Sequence, residues 1–337
     1  MNKIKIGVLC PSEIAFRRFM PAVKKFDNFE YMGLSAATER EFSGTDSDEI
    51  KPSELEKANK FVEAHGGKLF KGYESLISSN EINAVYIPLP PALHFKWAKK
   101  ALENGKHVLL EKPFTTNLSD TEALIELAKE RNLAVHENYM FAFHSQIEWI
   151  KQKLSENVIG EIRLIRIDFG FPFRGANDFR YDKKLGGGAL LDCGGYAVKL
   201  AGMFLGDSAR VTTSKLNSKD GFEVDIFGSA TLVNNDGLTA QISFGMDNSY
   251  RCNLEIWGST GTLFTGRILT APEGFEPTVV IKNAEGEQAF TLAADDTFKK
   301  SIDFFGRCIN IDDTRISHYD EIKFQSAYVD EIKEQNK

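Results

Sequence analysis

The sequence predicts an α/β chain: a doubly wound parallel sheet first, then an α+β domain with a large, mostly antiparallel open sheet. Three observations carry that prediction. Short apolar runs alternate with helix-spaced segments as far as residue 136, the pattern of parallel strands covered by helices on both faces. Beyond about residue 146 apolar residues alternate one by one, in runs joined by Gly- and Asn-containing turns, as in antiparallel sheets. The length, 337 residues, suits two domains at about 100–200 residues each. The boundary is placed between residues 124 and 125, giving domains over 1–124 and 125–337.

Each element has its own signal. Residues 4–9 are apolar except for Lys5 and Gly7 and read as a buried strand. A helix follows over 13–26, with Ser12 as cap and Glu13 at the positive end of its dipole. A strand over 30–35 leads into a polar, flexible loop over 41–51. Leu55, Ala58, Phe61, Val62 and Ala64 mark a helix over 53–65, stopped by Gly66-Gly67. A short strand over 68–70, a short helix over 73–78 and a strand over 84–87 come next, the last cut by Pro88. Then come a helix over 94–104 closed by Gly105, a strand over 107–110, a helix over 119–131 and a sixth strand over 133–136. The second domain opens with a helix over 146–154. Its strands fall at 163–169, 222–233, 238–244, 251–257, 261–264, 278–282 and 288–292. Helices over 296–310 and 319–334 end the chain.

Composition narrows the function. At 42% hydrophobic and 26% charged, the chain has ample material for packed cores, which excludes wholesale disorder. A net charge of −7 with interspersed signs argues against nucleic acid or an anionic membrane as partner. No run approaches the roughly 18 apolar residues of a membrane span. Residues 1–6 lack a long apolar stretch and a small-residue cleavage site, so a secretory signal is not expected. Four cysteines, none near another, make neither a metal motif nor a disulfide framework. The expectation is a cytoplasmic protein with reduced thiols and no metal.

Two stretches carry chemistry. A dinucleotide site needs a tight strand-to-helix turn whose N–H groups face the pyrophosphate, usually Gly-x-Gly-x-x-Gly/Ala. Here the stretch is Cys10-Pro11-Ser12-Glu13-Ile14-Ala15, in which small residues replace both leading glycines and Ala15 fits. The second stretch, Val108 to Phe114, puts Glu111-Lys112-Pro113 at the end of a parallel strand, where α/β sheets bind ligands. A Lys there can hydrogen-bond both a nicotinamide ribose and a substrate oxygen.

With these motifs in view, the chain resembles the glucose–fructose oxidoreductase/inositol dehydrogenase (Gfo/Idh/MocA) family. The matching pieces are the first strand and its turn, Pro88-Leu89-Pro90-Pro91 with His94, Gly105-Lys106-His107-Val108, Glu111-Lys112-Pro113, Glu137-Asn138-Tyr139, and the block from Leu185 to Tyr196. The resemblance implies a Rossmann domain, an α+β domain whose open sheet makes a homodimer or homotetramer, and hydride transfer between NAD(P) and a carbonyl compound. It gives the active-site lysine to Lys112 and the acid to Asp192. Tyr196 stands where many members have His and some have Tyr. A Tyr hydroxyl beside a Lys ammonium is a fitting proton donor, because the cation favours the phenolate left behind. Asp192 would orient Lys112 or substrate hydroxyls, or cap a helix over 194–205. The Gly186-Gly187-Gly188 run would let the chain approach the cofactor closely before that helix.

Within the family, Tyr196, Trp97 and the run Glu137 to Phe141 resemble nucleotide-sugar 3-ketoreductases, which reduce a keto-deoxysugar with NADPH. That likeness implies cofactor contacts from Cys10, Ser12, Glu13, Ile14, Leu89, Pro90, His94, Glu111, Lys112 and Asn138. It implies substrate contacts from Tyr139, Phe141, Arg174, Arg180 and Tyr181, with Arg174 or Arg180 on the diphosphate. Thr38 and Arg40, just past the second strand, would hold the 2′-phosphate of NADP, the cofactor favoured over NAD. His144 is assigned a structural hydrogen bond. Two alternatives stand beside this: a dehydrogenase of free sugars or dihydrodiols, and a dinucleotide-binding regulator without turnover.

Overall fold

The computed structural model describes residues 3–175 and 177–336. In its first unit, β1 (Ile4–Leu9), β2 (Phe29–Ala36), β3 (Lys68–Lys71), β4 (Ala84–Ile87), β5 (His107–Leu110) and β6 (Val135–Glu137) form one sheet. The strand order is β3-β2-β1-β4-β5-β6, and every pairing is parallel. The order turns back between β1 and β4, so the loops leaving these strands diverge and open a crevice at their carboxyl ends. All four residues of β4 are buried, which is why its sequence does not alternate.

The helices of this unit are short. After β1 the chain is helical from Glu13, makes a π-turn over Ala15–Phe19 and ends as α1 (Met20–Val23). Then come α2 (Glu39–Ser43), α3 (Pro52–His65), α4 (Tyr73–Ile77), α5 (His94–Glu103) and α6 (Leu118–Arg131). The loop expected to be flexible over 41–51 is instead tied down. Thr38 pairs with Ile50, and the Glu39 and Arg40 amides donate to Glu49 and Ser47 carbonyls at 2.8 Å each. Glu41 anchors it: its carboxylate accepts from the Thr38, Tyr73 and Glu74 amides at 3.0 Å each, joining the starts of α2 and α4.

The second unit contains α7 (Ser145–Ser155), β7 (Ile162–Gly170), α8 (Gly195–Leu205), β8 (Arg210–Asn217), β9 (Phe227–Val233), β10 (Thr239–Gly245), β11 (Arg251–Gly258), β12 (Gly261–Gly266), β13 (Thr278–Asn283) and β14 (Gly286–Thr291). Its eight strands run β14-β13-β12-β11-β7-β10-β9-β8. All pairs are antiparallel except β7 with β10. β8 escapes sequence patterning because Thr212, Thr213, Ser214 and Lys215 give it no apolar period. α8 packs on β7 and β10. Phe227, Trp257 and Phe264 stand exposed at 41%, 52% and 42%, so this sheet is covered on one side only. The stretch Lys183–Leu205 passes a length-and-composition test for a membrane span, but it is mostly buried inside this unit as a core helix.

The last helices are α9 (Thr297–Asn310) and α10 (Asp312–Glu334). The first unit comprises the chain up to Thr115, Ser119–Asn138 and Phe298–Lys323, and the second holds Thr116–Leu118, Tyr139–Thr297 and the chain from Phe324. The cut expected at 124 and 125 falls inside α6, and the main crossing lies at 138 and 139. Each unit has its own core, one around Trp97, Phe114 and Leu102, the other around Ile167, Leu200 and Leu254.

Candidate active site

The first βα turn keeps the fingerprint's geometry without its glycines. Cys10 sits at φ 90°, the left-handed region a glycine enters without strain. Its amide donates to Ser35 O at 3.0 Å, and Ser12 N donates to Cys10 O at 2.8 Å. Ser12 caps the helix: its Oγ accepts from Ala15 N at 3.2 Å. Glu13 is exposed and pairs with Arg17, and Ile14 is half-buried. Burial pushes the Cys10 thiol up to about 12, with Glu54 adding to the effect, so the sulfur is unreactive.

Past β2, Thr38 is buried and spends its hydroxyl on the Glu41 amide in a capping box. Arg40 is exposed, but its Nε meets Asp48 Oδ1 at 2.8 Å and its Nη2 donates to Asp46 O at 3.2 Å. Both residues expected at the 2′-phosphate are thus engaged within their own loop. At the end of β4, Leu89 is buried and Pro90 half-buried. His94 is fully buried, with Nε2 2.7 Å from Leu89 O and Nδ1 2.8 Å from Pro113 O. It braces two loops rather than offering a ring nitrogen to a ligand. Burial lowers its pKa, while the two carbonyls act the other way.

The ends of β5 and β6 meet around Glu111. Tyr86 Oη and Asn138 Nδ2 both donate to Glu111 Oε1 at 2.7 Å. Burial raises the carboxyl's pKa, opposed by those two bonds and by the Lys112 charge. Lys112 is half-buried, joined to Pro113 by a cis bond, and its charge also bears on His94. One residue along, Phe114 N donates to Glu137 Oε1 at 2.7 Å.

In the second unit, Tyr196 lies in an aromatic cluster, its ring 5.1 Å from Tyr139, 5.6 Å from Phe141 and 5.3 Å from Phe169. It keeps 9% exposure, against 1% for Tyr139 and 3% for Phe141. Gly195 makes room for this packing: a Cβ there would come within 2.2 Å of the Tyr139 hydroxyl. Asp192 is not the N-cap that its position allowed. It lies inside a π-turn, Leu190–Gly194, and Asp225, 35 residues on, accepts from Leu190 N at 2.7 Å in the capping role. Asp192 instead accepts from Arg180 Nε at 2.9 Å, and Asp178 takes Arg180 Nη1 at 3.1 Å. Burial alone would lower the Arg180 pKa, but Asp192 and Asp178 more than offset it.

Two further expectations change. The glycine run folds against its own unit: a Cβ at Gly187 would meet Arg180 O at 2.4 Å, and one at Gly188 would meet Asp225 Oδ1 at 2.4 Å. Tyr181 is buried, its hydroxyl donating to Met246 O at 2.8 Å. Arg174 differs from both: it is exposed, lies 4.5 Å over the Phe171 ring and forms no ion pair among the described residues. His144 accepts from Gln146 N at 3.1 Å and caps α7. Sequence reading missed Asp225 and Ser301, whose partners lie far off in the chain, and Glu41, whose local signal was the Thr38-to-Glu41 capping-box spacing and whose other partners, Tyr73 and Glu74, are distant.

A parallel sheet in this order, with a helix N-terminus after β1 and a lysine after β5, joined to an open-sheet unit, defines a class: oxidoreductases of the doubly wound, dinucleotide-dependent kind. The comparisons are more specific. Residues 28–139 match the oxidoreductase family with an NAD-binding Rossmann fold, and residues 147–264 match the GFO/IDH/MocA C-terminal domain. The chain is 37% identical, over 91% of its length and 88% of the relative's, to a dTDP-3,4-didehydro-2,6-dideoxy-alpha-D-glucose 3-reductase of Actinomadura kijaniata. It is 36% identical, over 92% of its length and 86% of the relative's, to the reductase of the same name from Streptomyces violaceoruber. A crystal structure of KijD10, a 3-ketoreductase from Actinomadura kijaniata in complex with NADP and TDP-benzene, matches with a TM-score of 0.91 at 35% identity, covering 100% of this chain and 98% of that one. The same enzyme was also crystallised with a single lysine or a single tyrosine replaced. The chain belongs to the Gfo/Idh/MocA family of oxidoreductases.

Proposed function

We propose that this protein is an NADPH-dependent 3-ketoreductase of a dTDP-linked keto-deoxysugar. The observation that carries the reading is the whole-length likeness to a 3-ketoreductase crystallised with NADP and TDP-benzene. The chain's own residues fit the cofactor: Cys10 already holds the glycine conformation, and the helix starting at Glu13 turns its N–H groups toward an anion. Cys10, Ser12, Glu13 and Ile14 would cradle the pyrophosphate. Leu89 and Pro90 would line the crevice, and Glu111, Lys112 and Asn138 would border the nicotinamide end. When bound, NADPH supplies the hydride.

Reduction leaves an alkoxide that needs a proton. Tyr196 is the proposed donor. Lys112 would steady the substrate oxygen as the alkoxide forms. Asp192, its carboxylate oriented by Arg180, would hold substrate hydroxyls. Arg174, exposed and without an ion pair among the described residues, is the better candidate for the diphosphate. Tyr139 and Phe141 would support Tyr196 rather than touch substrate. The half-apolar open sheet fits a homodimer or homotetramer, and the protein would work in the cytoplasm.

The test is a substrate screen that follows NADPH fluorescence. Oxidation with the dTDP-linked 3-keto sugar, and little with free pentoses, hexoses or dihydrodiols, is the expected result. NADPH oxidation confined to free sugars would select the dehydrogenase alternative. Tight NADPH binding with no turnover of any substrate would select the regulator.

A further inference from the structure

Asp192 and Tyr196 sit on one helical stretch of the second unit, and that stretch starts irregularly. It begins at Ala189, makes the π-turn Leu190–Gly194 and continues as α8. Gly195 N donates to Leu190 O, five residues back, which closes the wide turn. A π-turn holds one residue more than an α-turn, so everything after it is rotated by about 100°, one residue's share of an α-helix. The direction of Tyr196 therefore depends on the π-turn being kept.

One distant residue takes both opening amides of this stretch. The Asp225 carbonyl accepts from Ala189 N at 2.8 Å, and its Oδ2 accepts from Leu190 N at 2.7 Å. Leu190 is thus fixed at its amide by Asp225 while its carbonyl closes the π-turn. A helix commonly takes its cap from the residue just before it. Here that residue is Gly188, at φ 123°, and a Cβ there would come within 2.4 Å of Asp225 Oδ1. The bare position at 188 and the carboxylate from 225 are one arrangement. Gly188 N donates to Arg180 O at 2.9 Å, and Arg180 Nε donates to Asp192, so the same start is braced beside Asp192. The far end is held by buried Gln325, whose Nε2 donates to Gly195 O at 2.9 Å. Burial raises the Asp225 pKa, opposed first by the Leu190 amide. A carboxyl accepts from an amide in either protonation state, so the bond does not depend on its charge. All these residues lie within the second unit.

We propose that Asp225 is a positioning residue for the reduction: by holding the Leu190 amide it keeps the π-turn, and through the turn it sets the direction of Tyr196 and the place of Asp192. No covalent or redox step is involved. The kinetic consequence rests on the ketoreductase reading; the hold on the turn does not.

The experiment uses the full-length enzyme. Asp225→Ala removes the side-chain bond and leaves the carbonyl bond to Ala189, whereas Asp225→Asn keeps an acceptor for Leu190 N. Hydrogen exchange at the Leu190 and Gly195 amides reads the turn directly. Both should exchange about fivefold faster or more in Asp225→Ala, the value of one hydrogen bond, with Asp225→Asn in between. In the NADPH-dependent reduction, kcat per folded molecule should fall roughly tenfold in Asp225→Ala, within the cost of misplacing groups at a reacting centre. The NADPH dissociation constant should stay as it was, and Asp225→Asn should restore most of the rate. On a Tyr196→Phe background, Asp225→Ala should cost clearly less than it does alone, because the hydroxyl it positions is already gone. Unchanged exchange at Leu190, or a lowered melting temperature with unchanged kcat, overturns the proposal. So does a loss as large on the Tyr196→Phe background as on the wild type, since independent effects add. If the wild-type enzyme reduces no keto sugar, the functional reading fails, and the exchange rates still decide whether Asp225 holds the turn.

Discussion

Arg180 and Asp192 form a closed pair in the second unit: the guanidinium Nε donates to the Asp192 carboxylate at 2.9 Å while Asp178 holds Nη1 from the other side at 3.1 Å. An arginine between two acids has little charge left for a diphosphate. Arg174 has no such partner among the described residues. The two arginines should therefore separate kinetically. Arg174→Ala should raise the KM for the nucleotide-linked sugar roughly tenfold, the value of one charge-assisted bond, and leave kcat nearly unchanged. Arg180→Gln should lower kcat instead, because Asp192 loses its orientation. A larger KM effect from Arg180 than from Arg174 would reverse the assignment.

Tyr196→Phe keeps the ring that packs against Tyr139, Phe141 and Phe169 and removes only the hydroxyl. NADPH should bind as before, and the rate should fall about a hundredfold, the usual scale for positioned acid catalysis. Lys112→Ala should be at least as severe. Lys112→Arg should also be poor, since a planar fork does not replace a compact ammonium. Turnover near the wild-type rate in the Tyr196 variant would pass the proton to Lys112 or a water.

Cys10 adopts φ 90° in a turn that glycine would enter freely. Cys10→Gly should relieve about 1 kcal/mol of backbone strain, partly offset by the lost thiol contact with Tyr73. The variant should melt no lower than the parent and bind NADPH at least as well. A clearly lower melting temperature would show that the thiol's contacts outweigh the strain.

His107 governs a pH dependence. Its Nδ1 accepts from Ala134 N at 2.9 Å, and burial, with Arg315 assisting, pushes its pKa down to about 4. The unfolded chain binds that proton near pH 6.5, so between about pH 6.5 and about pH 4 the unfolded state holds more protons than the folded one. The stability from this site is complete above about 6.5 and is lost as the pH falls toward 4, by at most about 3 kcal/mol. Urea unfolding at neutral pH and near pH 4.5 measures it. His107→Asn retains the acceptor and does not titrate, so its stability should fall less steeply. Identical slopes for the two proteins would remove His107 from the account.

Much of the architecture was legible in the residues. The run 84–87 is apolar throughout because a central parallel strand is covered on both faces, and β9 and β11 alternate because one face of their sheet is open. Glu111-Lys112-Pro113 was readable for the same kind of reason, since a strand and the residues just beyond it are neighbours in the chain. Such local patterns place strand ends, and strand ends place ligands.

How the polar side chains are spent was settled only by folding. Arg180, His94, Tyr181 and Thr38 all read as ligand contacts, and each is satisfied by the protein itself. Three of their partners lie at sequence separations of 12, 19 and 65, beyond any local pattern. A buried donor or acceptor left unmatched costs about 1–3 kcal/mol, so the fold consumes such groups wherever a partner comes within reach. The hydrogen bonds from α9 and α10 to the end of β6 are the extreme case: Ser301 is 163 residues from its partner Asn138, and His318 is 182 from its partner His136. They exist because α9 and the first turns of α10 fold back into the first unit, a return that no periodicity announces.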